Sequence, residues 1–227
     1  MFKLLKSLIL SGCLLLMLMA TAFAAPVQVE PSVQQQYPDI QVPVVTVPGN
    51  PDATAAINIE IEKNIEAFIR QSKEYCDENE ELNNVSLGIG YTVTCNDDTV
   101  LGIVLTKYIN VEHAAHPMHY IDGLNFNPQT GEKIVAVDLK EYSAEKYGKD
   151  IYTPELLSEK LAKKAAKNEE LIIFDDILPL SHVPEQFYFD ADRHVHFLFQ
   201  PYEIAPYACG VIDVDMDTKS DDYLMYR

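Results

Sequence analysis

The sequence has no tryptophan, only 9 glycines and 4 cysteines in 227 residues, and half as many basic residues as acidic ones, 17 against 35. Each shortage excludes something. Neither glycine-rich phosphate-cradling pattern occurs, the dinucleotide-binding one or the Walker one, so nothing in the chain reads as a nucleotide cradle. The formal net charge of −18 repels nucleic acid and anionic membrane surfaces alike and leaves a cationic partner, or none. Beyond the first 24 residues no apolar run is long enough to cross a bilayer. What is present is an ordinary globular composition, 48% hydrophobic and 10% aromatic. It is too apolar for intrinsic disorder and too mixed for a low-complexity polymer. The length supports one large domain or two small ones around a real core.

Residues 1–24 read as a secretory signal peptide. Lys3 and Lys6 form its basic start, Leu8 to Met19 its apolar stretch, and Ala22-Phe23-Ala24 its small-x-small cleavage site, with Ala25-Pro26 following. The apolar run is short for an uncleaved anchor. Leu10-Ser11-Gly12-Cys13 matches a lipobox in letters, but the strongest apolar residues lie after Cys13, where a lipoprotein is already polar. Cleavage near Ala24 gives a periplasmic or secreted protein with no membrane segment. Loss of Lys3 and Lys6 leaves 15 basic against 35 acidic residues, a net charge of −20 over 203 residues.

Cys76, Cys95 and Cys209 remain, and in an oxidising compartment one pair is expected. Cys76 ends a predicted helix and Cys95 ends the strand after it, so these two are the expected disulfide. In the chain-entropy model its closure contributes on the order of 3 kcal/mol. Three cysteines at this uneven spacing do not make a zinc site.

Six of the thirteen prolines fall in residues 25–53. Residues 25–33 read as a linker, and the alternation Ile40, Val42, Val44 as an edge strand, the place where strand prolines are tolerated. Asn50-Pro51 starts a helix, with Asn50 as cap and Pro51 in the first turn. Ile57, Ile61, Ile65, Phe68 and Ile69 give that helix one apolar stripe. Val85 to Cys95 alternates without a break, turns at Asn96-Asp97-Asp98, and returns from Val100 to Ile109. A further hairpin runs from Met118 to Phe126, turns at Asn127-Pro128-Gln129-Thr130-Gly131, and returns over Lys133–Val137. Thr153-Pro154-Glu155 starts a second main helix, whose Lys160, Lys163, Lys164 and Lys167 read as a solvated face. Three strands follow, over 186–189, 194–199 and 210–216. The order predicts an α+β fold, antiparallel sheet with two main helices packed against it.

Chemistry-bearing constellations are sparse. His194 and His196 share one strand face, the spacing two metal ligands use, and with His116 they form the alternative metal set, hence a metal-binding protein or hydrolase. That set requires the three side chains to converge, and Pro117 opposes the helix that would gather His113, His116 and His119. Asp213, Asp215 and Asp217 alternate and read as one acidic strand face. No serine or cysteine sits in an activated setting, so the expectation is a non-catalytic protein with no cofactor and no metal. The most distinctive segment is 199–210, FQPYEIAPYACG, in which two prolines and two tyrosines imply a rigid crossing.

That segment, a strand ending in Gln200-Pro201-Tyr202-Glu203-Ile204 followed by Pro206-Tyr207-Ala208 and Gly210, resembles the C-terminal module of the RsiV/PdaC-like extracytoplasmic family. Ala114-Ala115-His116-Pro117, Asn125-Phe126-Asn127, Thr130-Gly131 and Asp138-Leu139 resemble further motifs of that module. Tyr37-Pro38 and Ile57-Asn58-Ile59-Glu60-Ile61 look like its N-terminal companion. The resemblance covers Gln34 to Met216. It implies an N-terminal PdaC-like α+β module over 34–112 and an RsiV-like module over 113–227, forming one compact unit. In that family the unit is the lysozyme-sensing ectodomain of an anti-sigma factor or precedes a peptidoglycan deacetylase. Only six residues reach Lys6 and the chain stops at Arg227, so neither sigma-factor control nor deacetylation is carried over; a stand-alone secreted module is expected. The implied role is binding of a cationic protein such as lysozyme, or of peptidoglycan. His116, Tyr202, Glu203 and Tyr207 are the candidate ligand-binding residues.

Overall fold

The computed structural model describes residues 26–75, 84–218 and 225–226. The signal peptide, Cys13 and Cys76 therefore lie outside the described residues. The chain is α+β, with three α-helices and three antiparallel sheets among the described residues. Strands β1 (Gln28–Val33) and β2 (Gln41–Thr46) form a hairpin. Helix α1 (Pro51–Ser72) leads into a meander of β3 (Val85–Asn96), β4 (Leu101–Val111) and β5 (Met118–Phe126). Helices α2 (Leu139–Tyr147) and α3 (Pro154–Lys167) precede the last sheet, of β6 (Phe187–Phe189), β7 (Val195–Phe199), β8 (Val211–Asp215) and β9 (Met225–Tyr226).

Local chemistry builds α1 as its sequence dictates. The Asn50 side chain accepts from Ala53 N at 3.1 Å, Pro51 occupies the first turn, and Ile57, Ile61, Ile65 and Phe68 bury one stripe. That stripe packs on Leu101, Ile103, Leu105 and Ile109 of β4 and on Leu124 and Phe126 of β5. In α3, Thr153 caps the Leu156 amide, and Leu157 and Leu161 face a second core. There they meet Phe187, Phe189, Val195, Phe197 and Phe199. The other face of the last sheet, with Tyr188, Leu198 and Val211, packs on Ile121 and Val104 of the meander. The layers thus run α1, meander, last sheet, α2 with α3.

Side-chain amides stitch these layers to backbone edges. Asn58 of α1 accepts from Val45 N at 2.8 Å and donates to Val45 O at 2.7 Å, capping the edge of β2. Gln200 does the same to Ile121 of β5, at 3.0 and 2.8 Å. Asn125, 1% exposed, donates to Phe187 O and accepts from Phe189 N. The Phe187 carbonyl approaches so closely that glycine is required beneath it at Gly123, and the Phe189 carbonyl lies close over Gly102.

Several expectations change. Residues 28–33 form a strand rather than a linker. Pro31 lies directly opposite Pro43, a pairing that is compatible with a ladder only where neither residue must donate across it. The arm expected over Lys133–Val137 shrinks to a single bridge, Phe126 to Lys133. Asp138 Oδ2 instead accepts from Val135 N and turns the chain into a 3₁₀ helix over Ala136–Asp138. Lys160 and Lys164 of α3 are not solvated. Lys164 is buried, and Lys160 Nζ donates to the carbonyls of Asp215 and Thr218. Leu156, next to the buried Leu157, is exposed.

Cys95 is a buried free thiol that donates to Asp97 Oδ2, and burial together with the Asp97 charge pushes its pKa up to about 12. The proposed bridge partner, Cys76, lies outside the described residues. Asp97 itself joins two distant turns by accepting from Arg193 Nε at 2.6 Å. Burial raises its carboxyl, but donation from the Thr99 and Val100 amides, Arg193 and the Thr99 hydroxyl outweighs that and holds it at about 2. A carboxylate whose folded pKa is depressed stabilises above its unfolded value and loses that contribution as pH falls through the folded one. The stability difference between the wild type and Asp97→Asn should therefore shrink from pH 4 toward pH 2 in urea titrations. A difference constant over that range contradicts this account.

Candidate functional site

The connection between β7 and β8 carries Tyr202 and Tyr207, and the connection between β4 and β5 carries His116. The first begins as a β-turn in which Glu203 N donates to Gln200 O at 3.1 Å. Pro201 takes the second turn position, and Tyr202 follows at φ +69°, the left-handed region that favours glycine at that place. Tyr202 is 53% exposed. The Glu203 carboxylate turns back to accept from Gln200 N at 2.8 Å, closing the turn. Burial raises the Glu203 carboxyl, partly offset by that amide and by His182.

Three rings converge here from segments 86 residues apart. The His116 ring stacks on Tyr207 with centroids 3.7 Å apart and planes at 19°. His116 Nε2 lies 3.2 Å from the Tyr202 hydroxyl, and the two tyrosine rings are 5.9 Å apart. Tyr207 donates to Pro117 O at 2.6 Å, and His116 Nδ1 lies 3.1 Å from the same oxygen. Pro117 O thus anchors both rings. Of the four candidate ligand-binding residues, His116, Tyr202 and Tyr207 form one cluster, whereas Glu203 braces the turn beneath it. An exposed face of stacked rings can take a cationic group or a flat apolar one.

The alternative metal set does not converge. His116 is held by the tyrosines, while His194 and His196 sit among aspartates. His194 Nδ1 is 3.5 Å from Asp190 Oδ2, and His196 Nδ1 is 2.8 Å from Asp213 Oδ1. Among the described residues no group of three or more His, Cys, Asp or Glu side chains could hold a metal ion. The expected acidic face also divides. Asp213 and Asp215 remain with the histidines, but β8 ends at Asp215 and the following bend turns Asp217 into the opposite core.

Asp217 is what sequence reasoning missed. Its carboxylate, 1% exposed, accepts from Lys146 Nζ at 2.9 Å, from the Tyr147 hydroxyl, from the Tyr152 hydroxyl at 3.0 Å and from Val195 N at 2.7 Å. The only sequence signal was its place at the end of an alternating run.

No curated protein matches. A solved structure of a DUF3298 family member from Bacteroides fragilis aligns with 85% of this chain and 90% of its own, at 13% identity and a TM-score of 0.54. A DUF3298 family protein from Pseudomonas aeruginosa aligns with 84% of this chain and 89% of its own, at 15% identity and a TM-score of 0.48. The Bacteroides likeness is one of fold, and residues 142–219, which hold Tyr202, Tyr207, His196 and Asp217, match the family model described as "Protein of unknown function (DUF3298)".

Proposed function

We propose that the protein is a non-catalytic extracytoplasmic binding module of the RsiV/PdaC-like kind, and that it docks a cationic protein of the lysozyme type through the His116–Tyr202–Tyr207 cluster. The observation that carries this reading is the exposed Tyr202 ring, held at a positive φ against two further rings. Backbone strain of this kind, on the order of 1–3 kcal/mol, persists where the surrounding structure enforces it and is a pointer to function. Tyrosine supplies large contact area with few rotors, and its π face attracts a lysine or arginine side chain. The net charge, −20 once residues 1–24 with Lys3 and Lys6 are removed, adds long-range attraction, which raises the association rate more than the affinity.

Calorimetric titration with lysozyme and, separately, with peptidoglycan fragments at low and moderate salt tests the reading. Lysozyme should bind, with slower association as salt rises. Tyr202→Ala should weaken binding about tenfold to a hundredfold, the effect of losing one exposed aromatic anchor. Binding of peptidoglycan alone would replace the cationic partner with a glycan. No heat with either ligand, or a Tyr202→Ala protein that binds as the wild type does, removes the proposal. The location follows the same route: protein isolated from its native envelope should begin at Ala25 by mass spectrometry.

A further inference from the structure

His196 lies near the start of the strand leading into the turn that presents the ring cluster, at the end of the β7–β8 pair away from that turn, while Asp213 lies on the strand leading out. The two side chains are diagonal neighbours on one sheet face, since His196 pairs with Asp215 and Leu198 with Asp213. Asp213 is 2% exposed and accepts from the Tyr188 hydroxyl at 2.6 Å through its other oxygen. The Tyr188 ring stacks on His196 at 4.5 Å. On the far side, His196 Nε2 is buried, makes no hydrogen bond among the described residues, and lies 3.5 Å from Asp190 Oδ2 on the β6–β7 turn.

A neutral imidazole has one N–H. With that hydrogen on Nδ1 and given to Asp213, the Nε2 lone pair faces the Asp190 carboxylate, an unfavourable contact in a buried place. The imidazolium has two N–H groups and meets a carboxylate with each. We infer that His196 is a proton-operated clamp: protonated, it ties β7 to β8 and to the β6–β7 turn, and on losing its proton it frees the strands that carry the Pro201–Gly210 turn.

The charged and titratable groups facing it are few. Asp213 and Asp215 approach from β8, Asp190 from the β6–β7 turn, and Tyr188 from β6. His194 reaches Asp190 and Asp215 at 3.5 and 3.7 Å, and Lys160 of α3 donates to the Asp215 carbonyl. Arg193 is engaged with Asp97 and Asp98. The meander contributes Val104 and Ile121, which do not titrate. Burial acts to lower the His196 pKa, but the Asp213 hydrogen bond and the charges of Asp213, Asp215 and Asp190 outweigh it and raise the value above 6.5. A raised folded value means that the clamp is fully closed below about pH 6.5 and is lost as pH rises through the folded pKa.

Hydrogen exchange of the amides in 195–199 and 211–216, corrected for intrinsic rates, reads the clamp directly and needs no ligand. In the wild-type protein protection should fall between pH 6 and pH 9, by one decade per unit by which the folded pKa exceeds the unfolded one. In His196→Gln, whose side chain cannot change charge, it should stay level over that range. The His196 ring resonance in the wild type gives a second readout and should titrate above pH 6.5. Level wild-type protection, or a ring that titrates at or below 6.5, overturns the inference whatever the variant does.

Discussion

Gly123→Ala should destabilise the protein by on the order of 3 kcal/mol or more, at the upper end of what overpacking costs. A Cβ at Gly123 would sit 1.8 Å from Phe187 O and 2.5 Å from its carbonyl carbon. Both obstacles are backbone, so no rotamer change relieves them. The last sheet would have to lift from β5, and the amide stitches at the same seam would stretch with it. Those are Gln186 to Gly123 N, Asn125 to Phe187 and Phe189, and Gln200 to Ile121. Gly90→Ala on β3 is the control, because nothing lies within 4 Å of its added methyl. It should be neutral or stabilising by several tenths of a kcal/mol, through the unfolded chain. Urea midpoints of the two variants decide the matter. Equal midpoints would mean that the sheets do not pack through the glycine.

Asp217→Ala should cost about 3–5 kcal/mol, because it removes the shared acceptor of four donors and leaves the buried Tyr152 hydroxyl and the Lys146 ammonium facing one another without it. Asp217→Asn keeps the shape but offers an NH₂ group to partners that are all donors, so it should recover little of the loss. At about 2–4 °C per kcal/mol for a protein of this size, the midpoint of thermal unfolding should fall by roughly 10 °C. The electrostatic signature is separate from the packing loss. The Lys146 pKa is raised in the wild type, where hydrogen bonds to Tyr147 and Asp217 and the Asp217 charge outweigh burial, and the Asp217 share of that support disappears in both variants. An Asp217→Asn protein as stable as the wild type would show that the carboxylate is not the organising acceptor.

Much of this molecule could be read from its sequence, and the readable parts share one property. The Asn50 cap, the isoleucine stripe of α1, the alternation of β3 and the Asn127–Gly131 turn each depend on residues no more than one element apart. The unreadable parts depend on partners far along the chain. Asn125 reaches Phe187 across 62 residues, Gln200 reaches Ile121 across 79, and Asp217 reaches Lys146 across 71. No periodicity encodes such a meeting. Lys164 followed the spacing of a solvated helix face and is nonetheless buried. His116 and the two tyrosines were singled out by their local sequence, but only the structure joined them.

The sequence by itself determined the α+β class, the two main helices, the β3–β4 hairpin and the strongly acidic surface, since these follow from short-range hydrogen bonding, apolar period and charge count. Only the tertiary structure decided that the strands divide among three sheets, that glycine and amide side chains form the seam between two of them, and that three rings meet at one turn. The physical reason is the range of the interaction. Local structure is set by neighbours along the chain, whereas a seam, a buried carboxylate and a ring cluster exist only once distant segments have packed.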